Sequence, residues 1–243
     1  QIWKTAMAMD NTTRATVLKY DSNEFARIWR EKLIEHKFDI EQSLLFGAQG
    51  TVDSVQYTEG AVDFITSYGN IFTGTGMGGT GSKAQDDFLD DMSQFLDPRY
   101  NNANATLFMV STDVYNWLHK LSGYFSANVQ QVVGISNGAG RADFSMGGKK
   151  NVFGVDITQI YTPYGVMNVS RNIHLDGTGV KMLAVNMKNC AYRPLVGNGL
   201  NRDTAVYVGV QTLENSGVDR RVDLIQTEAG MEWQMPEAHA VWK

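Results

Sequence analysis

The stretch Glu24–Phe46 carries the longest uninterrupted helical pattern in the chain, and it constrains every other assignment. Phe25, Ile28, Trp29, Leu33, Ile40 and Leu44 recur at steps of three and four, with one turn missing between Leu33 and Ile40. That spacing lays them along one face of a helix. Asp21 followed by Glu24 reads as a capping box, and Gly47 as the stop. Arg27 with Glu31, and Lys37 with Glu41, are i,i+4 charge pairs on the outer faces. The stretch contains no Gly or Pro. At about 1.5 Å per residue it spans roughly 35 Å, and it reads as a strut.

Composition narrows the class of protein around that strut. A chain of 243 residues can bury a full core and holds one or two domains. Its hydrophobic (43%) and charged (19%) shares are those of an ordinary globular protein, not of a disordered or membrane-spanning one. No apolar run approaches the ~20 residues a membrane helix needs. The net charge of −5 argues against a dedicated nucleic-acid binder, although basic residues can still cluster locally. With Cys190 alone, neither an intrachain disulfide nor a Cys-built zinc site can form, and the residue reads as a small buried hydrophobe. The opening Gln1-Ile-Trp-Lys does not resemble a signal peptide, and reads as the start of a trimmed or cleaved chain.

Residues 1–20 have extended character, with Thr5–Met9 and Ala15–Tyr20 strand-like and Asp10–Thr13 a turn between them. Too short to own a core, this segment is an edge hairpin or an arm that packs on something else. After the helix, Thr51–Tyr68 mixes β-branched residues with acids and suits short strands or a loop.

Three motifs invite a chemical reading. Gly74, Gly76 and Gly79 fit G-x-G-x-x-G, and Gly76–Lys83 approaches a P-loop. The Ser and Lys of that run stand in the wrong order for the phosphate-binding loop, and the helix that follows is acidic where a phosphate would sit. The run therefore reads as a flexible hinge or loop. The acids themselves, Asp86, Asp87, Asp90 and Asp91, pair at i,i+4 on one helix and could hold a divalent cation. No further oxygen ligands follow, so a solvated face near the helix N-terminus explains them more simply. Gly134-Ile-Ser-Asn-Gly138 matches the G-x-S-x-G elbow around Ser136, but loop chemistry follows it where the elbow needs a helix. The histidines downstream, His174 and His239, have no context that marks a base, and His36 and His119 read as surface or packing residues on helices. Lys83 and Ser136 sit in Gly-rich loops without a partner constellation, so replacing either is expected to leave stability unchanged.

Elsewhere, Asn101–Ala105 is a polar connector, Thr106–Ser111 a buried strand, and Thr112 the cap of a helix carrying Val114, Tyr115, Trp117, Leu118 and Leu121. From Asn151 the character is β. Strands are expected at Val152–Tyr161, Val166–Ser170, Lys181–Tyr192, Thr204–Leu213, Arg221–Glu232 and Ala238–Trp242, with Pro236 at a bend. The fold class is α+β.

Arg30–Gly47 resembles the spine-helix region of tailed-bacteriophage major capsid proteins, and Asp223–Trp242 is similar to their closing strand pair. The acidic helix, the Leu107–Val110 strand, the Trp117 helix and Val152–Thr158 follow the order of that family's axial domain. The resemblance covers residues 23 to 243. It implies the Hong Kong 97 phage capsid fold, divided as an N-terminal arm and extended-loop segment (1–22), a peripheral domain on the spine helix (23–71), an axial domain (72–190) and return strands of the peripheral domain (191–243). It further implies a structural subunit of an icosahedral shell, not an enzyme. Such a subunit assembles in the host cytoplasm into hexamers and pentamers of the virion and contacts packaged DNA non-specifically, together with portal and decoration or scaffolding proteins. No catalytic, cofactor-binding or metal-ligating residue is assigned, and no membrane partner. The alternatives are an encapsulin-like compartment shell, or an enzyme using the Gly-rich loop or Ser136. Arg14, Lys149, Lys150, Arg220 and Arg221 are the basic residues that would face DNA.

Overall fold

The strut forms where the periodicity places it, as a helix over Glu24–Phe46 in a computed structural model that describes residues 1–16, 24–78, 83, 85–96, 106–120, 145–152 and 155–243. In chain order the elements begin with β1 (Ile2–Asp10), α1 (Asn11–Ala15), α2 (Glu24–Phe46), β2 (Gly50–Val52), β3 (Val55–Tyr57) and α3 (Ala61–Tyr68). Next come β4 (Asn70–Phe72), α4 (Gln85–Phe95), β5 (Thr106–Val110), α5 (112–120), β6 (Ser145–Val152), β7 (Val155–Thr162) and β8 (Gly165–Arg171). The chain closes with β9 (Met182–Asn186), β10 (Cys190–Pro194), β11 (Val196–Gly197), β12 (Leu200–Asn201), β13 (Ala205–Gln211), α6 (Leu213–Ser216), β14 (Arg220–Trp233) and β15 (Ala240–Trp242).

These elements make two compact units, residues 1–63 with 192–232 and residues 64–191 with 233–243. In the first unit β14 is the central strand, paired antiparallel with β1 along nine positions from Ile2↔Glu228 to Asp10↔Arg220, and joined on its other side by β10 and β13. The N-terminal residues are therefore a ladder strand rather than a loose arm. The expected turn at Asp10–Thr13 is the short helix α1. Trp3, Met7 and Met9 are buried on one face of β1, while Lys4 and Ala8 are exposed on the other. The partner strand buries Asp223, Ile225, Thr227 and Ala229 at the same period of two, so both strands turn one face to α2.

That face explains the missing apolar turn of the helix. His36 sits between Leu33 and Ile40 and is 1% exposed, with Nδ1 2.9 Å from Thr5 Oγ1 and Nε2 2.8 Å from Thr227 Oγ1. Thr227 Oγ1 also meets Thr204 Oγ1 at 3.0 Å, which carries the network on to the segment before β13. Trp29 Nε1 donates to Asp223 Oδ2 (3.2 Å), and Trp3 Nε1 donates to Ser43 Oγ (3.0 Å). Burial pushes the Asp223 carboxyl up, but bonds from Arg221, the Gly209 N–H and Trp29 outweigh it and hold the group below the usual carboxylate range. The apolar residues of the stripe are only half-buried, and Leu45 is the buried hydrophobe of this helix. Gly47 ends the helix not through a left-handed backbone but through space, because a Cβ there would lie 2.4 Å from the Ser43 carbonyl oxygen. On the outer face, Arg27 bridges Glu24 and Glu31 as the spacing requires.

The second unit is built on a seven-stranded mixed sheet in the order β4-β15-β9-β5-β8-β7-β6. Parallel pairing occurs at β4 with β15 and at β5 with β8; the other pairs are antiparallel. Phe88, Met92 and Phe95 of α4, with Val114 and Leu118 of α5, pack on Phe108, Met167, Met182 and Trp242 of the sheet. The expected strand at 181–192 is two strands, because Asn186 turns the chain by accepting from the Lys188 and Asn189 N–H groups. The expected cap at Thr112 is supplied from elsewhere: the Asp176 carboxylate accepts from the Thr112 N–H (2.7 Å) and hydroxyl (2.6 Å), which lowers its pKa. Residues 61–68, expected as strand or loop, form α3, where Ala61 and Ile65 bury at i,i+4 spacing that their β-branched neighbours conceal.

Two outcomes follow for the strut and its histidine. Leu33→Pro would remove a helix donor and press its ring on the Trp29 carbonyl, and chemical denaturation should show a loss of ~3 kcal/mol or more, against a smaller loss for Leu33→Ala at this half-buried position. Burial holds the His36 and His239 imidazoles below the usual histidine range, against the opposing pulls of Asp39 and of the Gln234 carbonyl. Each depressed folded-state pKa means that the unfolded chain binds more protons. Stability is therefore full above about pH 6.5 and falls as the pH drops below it. Melting temperature across that range should slope less in His36→Gln than in the parent chain.

Candidate functional site

The Gly-rich run that tempts a nucleotide reading is part of a packed structural site. Trp242, near the chain end, is fully buried; its ring stacks on Phe72 (4.9 Å between centroids) and meets Phe95 edge-on (5.9 Å). Its Nε1 donates to Asp91 Oδ2 at 2.9 Å, and the same oxygen accepts from Lys83 Nζ at 2.5 Å. Lys83 Nζ also donates to the Thr73 carbonyl (2.8 Å). The Lys83 side chain is 8% exposed and that of Asp91 18%, so this is a largely desolvated ion pair, contrary to the expectation that Lys83 lacks a partner. Gly74 lies against the final residues: a Cβ there would be 3.0 Å from the Trp242 carbonyl carbon, and its N–H donates to the Lys243 carbonyl at 2.6 Å. Gly76 and Gly78 both have φ of +83°, a conformation glycine adopts without strain. The described part of the run is thus a tight turn against the chain end, not a hinge.

The acidic quartet divides accordingly. Asp91 belongs to the buried site, whereas Asp87 and Asp90 are exposed on α4. Among the described residues no group of three or more His, Cys, Asp or Glu side chains converges as a metal site would require. Ser136 and its G-x-S-x-G motif lie outside the described residues, as does the Asn101–Ala105 connector. His239 is a packing residue: it is fully buried, accepts from the Asn186 N–H at Nδ1 (3.1 Å), and pairs through Nε2 with the Gln234 carbonyl (3.1 Å). That arrangement assigns the proton to Nε2 and uses up both ring nitrogens. Cys190 is a half-buried thiol whose pKa burial raises, which suits packing rather than reaction.

What the fold offers to partners is apolar surface on thin elements. β13 pairs with β14 along one edge, and among the described residues its other edge pairs with no strand. Val206, Tyr207, Val208 and Val210 of this strand are all exposed, so both of its faces present apolar side chains. The β2–β3 hairpin turns through Asp53 and Ser54, both in left-handed backbone, and exposes Val52, Val55 and Tyr57. The β11–β12 hairpin exposes Val196 and Leu200. An open, valine-rich edge is a hazard in a monomer and an asset in a subunit whose neighbours cover it. Periodicity alone could not find this surface, because a strand exposed on both faces has the apolar run of a buried one.

The comparisons with known proteins agree with that picture. A family model described as SU10 major capsid protein matches residues 1–243. No curated protein matches the chain at the level of sequence. Among solved structures, a chain from Mycobacterium phage Che8 superposes with a TM-score of 0.58 at 12% identity, covering 100% of this chain and 70% of that one. The holo-SrpI encapsulin complex from Synechococcus elongatus gives 0.59 at 10% identity, covering 100% and 73%. The satellite phage P4 procapsid gives 0.52 at 10% identity, covering 100% and 69%. Identities this low establish the fold, which is the Hong Kong 97 type shared by phage capsids and encapsulins.

The buried ion pair yields a direct measurement. Lys83→Ala leaves Asp91 in a mostly dry site without its cation, and chemical denaturation should record a loss of about 3 kcal/mol. Lys32→Ala, which breaks an exposed pair with Glu35, should stay within ~0.5 kcal/mol of the parent chain. Equal effects of the two substitutions would return Lys83 to the status of a surface residue.

Proposed function

The chain belongs to the SU10 major capsid protein family and is a structural subunit of a virus shell, and from that premise we propose how its parts serve assembly. The first compact unit, residues 1–63 with 192–232, acts as the peripheral domain, with α2 as its spine. The second, residues 64–191 with 233–243, acts as the axial domain, which takes in the last strand as well as the central segment. The N-terminal segment serves this scheme mainly through β1, an edge strand of the peripheral sheet.

The observation that carries the reading is the pairing of a polar-pinned strut with an uncovered apolar edge. α2 is fastened to its sheet by directional hydrogen bonds at Trp29, His36 and Ser43, which fix its position more specifically than apolar contact alone. β13 and the two exposed hairpins then present neighbours with apolar side chains held at set positions. Subunits of this kind close into hexamers and pentamers and finally into an icosahedral shell of the virion, assembled in the host cytoplasm. The role is that of a wall and calls for no catalytic group. Portal, scaffolding or decoration proteins complete the shell, and packaged DNA lies against it without sequence-specific contact. The encapsulin similarity leaves a cargo compartment as the second reading, but the match of the whole length to a viral capsid family favours the virus shell.

The purified protein is expected to form closed particles or capsomer-sized rings in negative-stain micrographs and light scattering. Val208→Asp with Val210→Asp should abolish those particles while the melting temperature stays within a few degrees, because both side chains are exposed in the isolated subunit. A monodisperse monomer under every salt and pH condition, or particles indifferent to charge on β13, would refute the proposed role of this edge.

A further inference from the structure

Three of the five basic residues singled out in the sequence meet around one cavity of the first unit. Arg14, Arg220 and Arg221 line a space of about 490 Å³ together with Asn11, Thr212 and Glu214. The register explains the meeting. Asp10 pairs with Arg220 and Met9 with Arg221 at the end of the β1–β14 ladder, and the single turn of α1 then carries Arg14 back over the same corner.

The three guanidinium groups are held in place yet only partly used. Arg14 and Arg221 both stand over the Phe25 ring, at 5.3 and 5.1 Å from its centroid. Arg14 Nη1 donates to Asn11 Oδ1 (3.2 Å), Arg221 Nε to Asp223 Oδ1 (2.9 Å), and Arg220 Nη2 to Gln211 Oε1 (2.5 Å). Each group carries five N–H donors, and these bonds use one donor of each. Arg220 Nε is buried and has no partner among the described residues, an arrangement that is costly for a donor unless something else accepts from it.

Two of the acids near the cavity are engaged by other groups. Asp223 is buried and engaged by Arg221, Trp29 and the Gly209 N–H, while Asp219 accepts from Asn11 Nδ2. Glu214 is the carboxylate of the lining itself. A chain of net charge −5 concentrates three arginines, two of them over one aromatic ring, around a space whose lining holds a single acid.

We infer that this cavity binds a phosphate oxyanion through Arg14, Arg220 and Arg221. Planar guanidinium forks recognise phosphate oxygens bidentately, and the restraint by Phe25 lowers the entropic cost when they do so. A free phosphate ion and the phosphodiester backbone of DNA share this chemistry. The inference stands on the pocket alone and does not require shell assembly.

The test compares the parent chain with Arg14→Gln/Arg220→Gln and with a control, Arg30→Gln, on the exposed side of α2. Inorganic phosphate should raise the melting temperature of the parent and of the control relative to chloride at equal ionic strength, and should fail to do so for the double variant. Duplex DNA binding is then titrated against salt. If the DNA backbone is the source, the double variant's slope should be shallower by about 1 for each phosphate that its arginines no longer neutralise. An unchanged slope, with the phosphate effect on melting abolished, identifies the free ion instead. If the double variant misfolds by circular dichroism, Arg14→Lys/Arg220→Lys replaces it; keeping the charge but not the fork, it should still bind phosphate more weakly than the parent. The inference fails if phosphate stabilises the parent and the variants equally, if it stabilises none of them, or if poly-glutamate competes as well as phosphate.

Discussion

The architecture of the first unit depends on a polar seam. α2 lies on β1 and β14, and His36 bridges the two strands from its middle, one ring nitrogen on Thr5 and the other on Thr227. A continuous apolar stripe would hold the helix at many nearly equivalent rotations and registers. An imidazole between two hydroxyls holds it at one, because any slip leaves buried polar groups without partners. Trp29 on Asp223 and Trp3 on Ser43 repeat the device toward the two ends of the helix. Geometric precision is what a shell subunit needs from its strut, and directional bonds supply it where hydrophobic burial, which has no direction, cannot.

The second unit relies on its own end of chain. Trp242 enters the sheet through β15, between β4 and β9, and its side chain fills the space among Phe72, Phe95 and Phe108. Its single polar atom reaches Asp91, whose charge is met by Lys83. The Gly-rich turn allows the backbone near Gly74 to approach the final residues closely enough for this arrangement. One contiguous group of side chains thus absorbs three features that look like separate signals in the sequence: the glycines, the acidic helix and the terminal tryptophan.

Both units place polar groups inside at defined positions, and the first leaves apolar groups outside on β13 and the hairpins. That inversion is uneconomical for a solitary globule. It becomes consistent once neighbouring subunits supply the missing cover, which is the condition under which capsid proteins exist. The arginine cavity at the corner of α1, β13 and β14 adds a second kind of surface, directed at anions rather than at apolar side chains.

Local sequence determined the elements whose signals are local. The limits of α2, β5 and β14 and the bend at Pro236 follow from periodicity and from turn residues acting on their immediate neighbours. The order of those elements also sufficed to resemble a capsid subunit, since a family's topology is preserved in element order even where identity is low. Tertiary structure alone decided which polar residues are structural. Nothing near His36 in the sequence tells of Thr5 and Thr227, nor does anything near Asp91 tell of Trp242, because those partners arrive through pairings that close loops of many residues. The same holds for Arg14 and Arg220, which strand register brings together. Side-chain chemistry fixes what a residue can do, and long-range packing selects the partner with which it does it.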